Sequence, residues 1–237
     1  MKGETITSEI SNTENLWKAA RDFHYLLNHG YSRKASLELV GNRYQLFSHQ
    51  RQLLHRGIFS DQDSKSRRRR KILIERIRGK DLAIDGYNVI ITIEAGLSGR
   101  PLISGSDGFI RDISSLSGNF RRTSKTAEAI LLIMKTLRKM KPQHTLFLFD
   151  APISKSGKLA QEVRGFLKKA KLPGDAQAIR VPEEILIGFP GVIATSDTAI
   201  IDQSKKVVDL AGTILSNEIG SASFIRWKRK GDPSENE

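Results

Sequence analysis

The 237 residues contain no cysteine, which excludes a disulfide framework, a zinc ribbon and a thiol nucleophile. A reducing cytoplasm fits that absence. Long apolar runs are missing as well, since a stretch such as Ile130 to Met134 falls far short of the roughly 20 residues that cross a bilayer. Neither a transmembrane helix nor a membrane partner is expected. Met1 to Asn12 carries two acids and no apolar core, unlike a secretory signal or an arginine-rich transit peptide. His24, His29, His49 and His55 stand at no metal-ligand spacing with acids, so they read as structural or surface residues. There is no internal repeat and no long low-complexity tract. Acids are also in short supply: 26 Asp and Glu face 39 Lys and Arg, giving +13 and a pI near 10.0. Such an excess points to a polyanionic partner. With 38% hydrophobic residues the chain can build a core, which excludes disorder throughout.

The excess is unevenly placed. Residues 1–80 hold 17 basic and 8 acidic side chains, and the densest run is Lys65-Ser66-Arg67-Arg68-Arg69-Arg70-Lys71. This run marks a boundary between a helical module at 1–62, a basic linker at 63–80, an α/β domain at 81–220 and a basic-then-acidic tail at 221–237. Arg67, Arg68, Arg69 and Arg70 read equally as a solvated linker or as phosphate contacts.

Upstream of the boundary the period is helical. Leu16, Ala19, Ala20, Phe23, Leu26 and Leu27 predict an amphipathic helix over about Glu14 to Asn28, which Gly30 stops. Ser32 caps a short second helix through Val40, and Gly41-Asn42 turns into a third from about Tyr44 to His55. That is helix-turn-helix spacing. The third helix and its flanks carry Arg43, Arg51 and Arg56, which can reach phosphates or base edges, although many small bundles share the spacing without touching nucleic acid. Trp17, Tyr44 and Phe47 are expected in the core rather than as stacking platforms.

Downstream, short apolar runs alternate with helical stretches. Strands are expected at Asp81 to Ile90, Thr145 to Phe149, Gln177 to Val181 and Gly191 to Thr195, and helices at Thr126 to Met140, Gly157 to Ala170 and Thr198 to Leu215. The fold class is therefore α/β, a parallel sheet flanked by helices and preceded by a small all-helical region. Ligands of such sheets gather at the carboxyl ends of the strands. There stand Asp85, Asp150 and Asp197, with Asp202 a little over one turn into the following helix. Each has a plainer reading: Asp197 as a helix cap, Asp150 as the start of a turn before Pro152, Asp202 as a solvated helix residue. Shared in one pocket, several carboxylates need a counter-charge, and a hard cation such as Mg²⁺ or Mn²⁺ supplies it.

The Gly96 to Gly118 interval, with Pro101 and several serines, predicts a long loop, in which Asp107 and Asp112 either lend carboxylates or cap turns. Ser154-Lys155-Ser156-Gly157-Lys158 precedes a helix and places Lys158 to meet an anion. It is no P-loop: the first glycine is missing and Leu159 stands where a hydroxyl residue is required.

Ile84-Asp85-Gly86-Tyr87-Asn88-Val89-Ile90, Phe149-Asp150 and Ala194-Thr195-Ser196-Asp197 together resemble the PIN-like nuclease superfamily, particularly its NYN and YacP-like branch. The resemblance spans roughly Asp81 to Thr213. It implies a PIN-like sheet and a divalent-metal-dependent nuclease hydrolysing phosphodiesters, with RNA favoured over DNA as partner. Catalytic roles would fall on Asp85, Asn88, Asp150, Asp197 and Asp202. Asp85, Asp150 and Asp197 would ligate Mg²⁺ or Mn²⁺, and Asn88 would order the site. The middle acid of the pattern is either Glu162 or one of Glu183 and Glu184. Including Gly41-Asn42-Arg43-Tyr44 and Ser106 to Asp112, the whole chain is similar to the family called domain of unknown function 434 with a PIN-like C-terminal domain. The alternative is a non-catalytic nucleic-acid-binding or regulatory protein on the same scaffold. A phosphatase of small substrates is a weaker third, and a homo-oligomer stays open.

Overall fold

A computed structural model of the chain describes residues 14–113, 120–220 and 223–227. The expectations for residues 1–13 and for most of the tail lie outside the described residues. Among the described residues three helices come first: α1 (Glu14–Asn28), α2 (Arg33–Arg43) and α3 (Ser48–Gly57). Gly30 takes the left-handed conformation after α1, and the Ser32 hydroxyl accepts from the Ala35 N–H to start α2. Leu16, Ala19, Phe23, Val40, Leu53 and Leu54 are buried where these helices meet. Phe47 departs from expectation. It is 69% exposed and stacks on His49, because it stands just before α3, where the chain turns outward.

The stretch expected as a basic linker begins as a helix, α4 (Asp61–Arg70). The Ser60 hydroxyl caps it by accepting from the Asp63 N–H, and Asp61 and Asp63 sit in the first turn, where acids suit the helix dipole. Its arginines close the other end, which the dipole also favours.

A five-stranded parallel sheet follows. Its strands are β1 (Asp81–Asp85), β4 (His144–Asp150), β5 (Gly174–Ile179), β6 (Val192–Ala194) and β7 (Val207–Val208), ordered β5-β4-β1-β6-β7. Side chains alternate across it. Leu82, Ile84, Phe147 and Phe149 enter the larger core under α5 (Gly86–Leu97), α6 (Ser124–Met140), α7 (Ser156–Lys169) and α10 (Leu210–Glu218). Ala83, Leu148 and Ile193 face the other side, closed by Leu186 of α8 (Pro182–Gly188) and Ile200 of α9 (Thr198–Gln203).

Several boundaries differ from the sequence reading: Gly41 and Asn42 belong to α2, so the turn falls after Arg43 and the third helix starts at Ser48 instead of Tyr44, and β5 lies at Gly174–Ile179 instead of Gln177 to Val181. The first strand ends at Asp85 instead of running to Ile90, because the Asp85 carboxylate accepts from the Asn88 N–H and starts α5. Gly86 makes that turn tight, since a β-carbon there would overlap the Phe149 ring. The expected helix over Thr198 to Leu215 is two helices separated by β7, and Asp209 caps the second by accepting from the Gly212 N–H at 2.8 Å. The glycine-rich interval contains a small sheet. Here β2 (Leu102–Ser104) pairs antiparallel with β3 (Ile110–Asp112) and parallel with the last strand, β8 (Phe224–Arg226). Ile103 and Ile225 of this sheet complete the core of the N-terminal helices.

Candidate functional site

In this strand order the chain steps outward from β1 on one side to β4 and β5, and on the other to β6 and β7. The carboxyl ends of β1 and β6 therefore flank a topological switch point, the place where open parallel sheets hold ligands. One side chain bridges it: the Thr195 hydroxyl, just past β6, donates to Asp85 Oδ2 at 2.8 Å. Thr195 Oγ1 in turn accepts the Asp197 N–H at 3.1 Å. Asn88 makes a second bridge, with its side-chain oxygen accepting the Ser196 N–H at 2.8 Å and the Ser196 hydroxyl at 3.1 Å.

These contacts gather charge of one sign. Burial pushes the Asp85 carboxyl up to about 7, Asp197 and Asp150 push in the same direction, and the bonds from Thr195 and Asn88 oppose them. Asp150, which ends β4, is raised by burial and then by Glu183. The Tyr87 hydroxyl is pushed up to about 12 by burial, with Asp150 adding to it. The charges that raise Asp85 and Asp150 are thus those of other carboxylates, the situation in which a divalent cation is stabilising. All the donors are hard oxygens, which suit Mg²⁺ or Mn²⁺. As placed here, however, no group of three or more His, Asp or Glu among the described residues stands close enough to hold a metal ion. Asp197 is engaged as the cap of α9, its Oδ1 accepting from the Ala199 and Ile200 N–H groups at 2.8 and 3.2 Å.

The structure separates Asp202 from this group. It faces Arg67, whose Nε and Nη2 each donate to its carboxylate at 2.7 Å. Asp107 and Asp112 are likewise spent elsewhere: Asp107 is fully buried in a bidentate pair with Arg111 at 2.8 and 2.7 Å, and Asp112 lies 3.6 Å from Arg56. Burial raises the Asp107 carboxyl, but the charge and hydrogen bonds of Arg111, with the Phe109 N–H and Arg67, outweigh it and hold the group below its ordinary value. Of the two candidates for a middle acid, Glu162 pairs with Arg122, whereas Glu183 acts on Asp150.

The predicted cations divide similarly. Arg67 is 6% exposed and directed inward. Its guanidinium, those of Arg33 and Arg111, and the ring of Phe59 form one cluster, with the three cations 4.4 to 5.0 Å from the ring centroid. Burial first, then the neighbouring Arg67 and Arg111, lowers Arg33 to about 10. Arg51 is half-buried and donates to the Leu46 carbonyl and to Asn42 Oδ1, which fixes the turn between α2 and α3. Arg70 donates to the Ser204 carbonyl at 3.0 Å, and Arg68, though exposed, donates to the Ser106 carbonyl. Arg43, Arg69 and Lys158 are exposed. Lys158 lies in the first turn of α7, beyond the carboxyl end of β4 that carries Asp150.

Sequence reasoning missed one connection outright. Arg111 Nε donates to the Ser196 carbonyl at 2.7 Å, so the buried Asp107–Arg111 pair holds the loop that carries Thr195 and Asp197. No periodic signal could reveal a bond between residues 85 positions apart. Glu183 had a local signal, in that Pro182 followed by two acids is a helix start.

Fold and site together define an α/β protein whose parallel sheet carries Asp85 and Asp197 at the ends of the strands that flank its switch point. The family model described as Domain of unknown function (DUF5616) matches residues 74–213, and that described as Protein of unknown function (DUF434) matches residues 15–70. The chain belongs to the family defined by these two regions. It is 33% identical over 195 residues to an uncharacterized protein of Methanocaldococcus jannaschii, an alignment covering 81% of this chain and 93% of that one. It is 28% identical over 155 residues to Flap endonuclease 1 of Sulfolobus acidocaldarius, covering 61% of this chain and 38% of the other. No solved structure matches.

Proposed function

We propose that the protein is a divalent-metal-dependent nuclease with a PIN-like domain, hydrolysing phosphodiesters and preferring RNA to DNA. One observation carries the reading: at the switch point the Thr195 hydroxyl joins Asp85 to the start of the Asp197 turn, so that two carboxylates from distant parts of the chain stand at neighbouring strand ends, with Asp150 ending the strand on the other side of β1. The likeness to Flap endonuclease 1 over part of its length supports the reaction class. Asp85, Asp150 and Asp197 would hold Mg²⁺ or Mn²⁺, and the bound ion supplies Lewis-acid chemistry at a phosphodiester. The Thr195 hydroxyl fixes the orientation of the Asp85 carboxyl. Asn88 keeps Ser196, and with it the loop between β6 and α9, against β1. Exposed Arg43, Arg69 and Lys158 would draw the phosphate backbone in.

The second reading, a non-catalytic nucleic-acid binder on the same scaffold, is favoured by the use of Asp197 as a helix cap. Labelled single-stranded RNA and DNA incubated with the protein in Mn²⁺, in EDTA, and with Asp85→Asn separate the two. The nuclease reading expects metal-dependent cleavage, faster on RNA, that falls by about 100-fold or more in the variant. Binding without cleavage under every condition selects the binder.

A further inference from the structure

Both tryptophans of the chain line the same cavity. Trp17 of α1 and Trp227, just after β8, meet edge to face with ring centroids 5.2 Å apart. They wall a cavity of about 580 Å³ between the first helix and the small sheet, within the size range of small-ligand sites. Arg21 and Arg68 contribute cationic heads to its lining, and Arg226, itself partnered, lines it too. Asp61 is the acid among the lining residues. Its carboxylate lies 3.3 Å from His24 Nε2 and accepts from the Asn28 side-chain amide at 3.3 Å. The balance is aromatic and positive, which matches a ligand carrying a flat π-face and a phosphate.

We infer that this cavity binds one nucleotide of a single-stranded nucleic acid, with its base against the tryptophan wall and its phosphate at Arg21 and Arg68. The inference rests on the nucleic-acid reading above and gives it a substrate-anchoring subsite away from the carboxylates. The cavity is tied to the acidic site by a single turn. Gly105, Ser106 and Gly108 form part of its wall, while Asp107 between them is buried in the pair with Arg111, and Arg111 holds the Ser196 carbonyl. A strand anchored here is therefore held on the same rigid hairpin that positions the Thr195–Asp197 loop.

Because the chain has no tryptophan elsewhere, its intrinsic emission reports on this cavity. The full-length protein is titrated in EDTA with oligouridylate, with an abasic oligonucleotide of equal length, and with inorganic phosphate. Binding is followed in parallel on filters. The inference expects saturable quenching by oligouridylate, weak or no quenching by the abasic strand or phosphate, and an apparent Kd raised about tenfold by Arg21→Glu. Arg21 is exposed on α1, so that variant keeps the fold, which circular dichroism verifies. Filter binding without any change in emission overturns the subsite while leaving nucleic-acid binding intact, and equal quenching by the abasic strand overturns it as well. Quenching as expected in EDTA, with no cleavage of the same oligouridylate in Mn²⁺, supports the subsite and sinks the nuclease reading alone.

Discussion

Asp85 answers to two demands at once: it caps α5 through the Asn88 N–H and it faces other carboxylates across the switch point. Its folded value of about 7 stands above the ordinary 3.8. Between those values the folded protein holds a proton that the unfolded chain has released, so this residue's contribution to stability declines as pH rises from one to the other. Asp85→Asn removes the buried charge while keeping an oxygen for the cap. In metal-free buffer the variant is expected to be more stable than the parent by about 1–2 kcal/mol at around pH 8, with the gain vanishing near pH 4. Thermal melts at the two pH values test this, and a variant less stable at the higher pH refutes it. At this scale the sequence was informative where chemistry is local. Asp85, Asp150 and Asp197 stand at strand ends that apolar runs define, whereas the Arg111–Ser196 bond joins distant segments and leaves no local trace.

At the scale of elements, α4 shows why the arginine run misled. Four consecutive arginines suggest a solvated linker, yet arginine is a good helix former, and the run supplies the last turn of a capped helix. Tertiary partners then decide each side chain's fate: Arg67 pairs with Asp202 and approaches Asp107, while Arg69 stays exposed. Arg67→Met is expected to cost about 1–3 kcal/mol, because it leaves Asp202 without its bidentate partner and thins the charge around buried Asp107. Arg69→Met should stay within about 0.5 kcal/mol of the parent. Urea melts of both variants provide the comparison, and equal losses would contradict the inward role of Arg67. The broken C-terminal helix was illegible for a different reason. β7 is two residues long, too short to display a period, and Val207 and Val208 fit a helical stripe equally well until β6 pairs with them.

For the whole molecule, the formal charge of +13 overstates what a polyanion meets. Arg33, Arg67 and Arg111 surround Phe59, and Arg56 stands against Asp112. The alternation of strand and helix that predicted the sheet was legible because it is a repeated local signal. The inward turning of these cations was not, since it depends on which acids the fold brings near. If nucleic acid is the partner, Arg43→Ala and Arg69→Ala should each reduce the slope of log affinity against log salt by about 1. Binding isotherms at several salt concentrations measure that slope, and no change in either variant removes these residues from the interface.

The small sheet also fixes an order of events during synthesis. β2 pairs with β8 across more than a hundred intervening residues, and Ile225 with Ile103 closes the core of helices that lie upstream of the whole parallel sheet. Those first helices leave the ribosome early but lack part of their apolar floor until residues 224–227 emerge. Vectorial translation can therefore complete the parallel sheet before it completes the helices of residues 14–57, which are synthesised ahead of the sheet and fully packed after it.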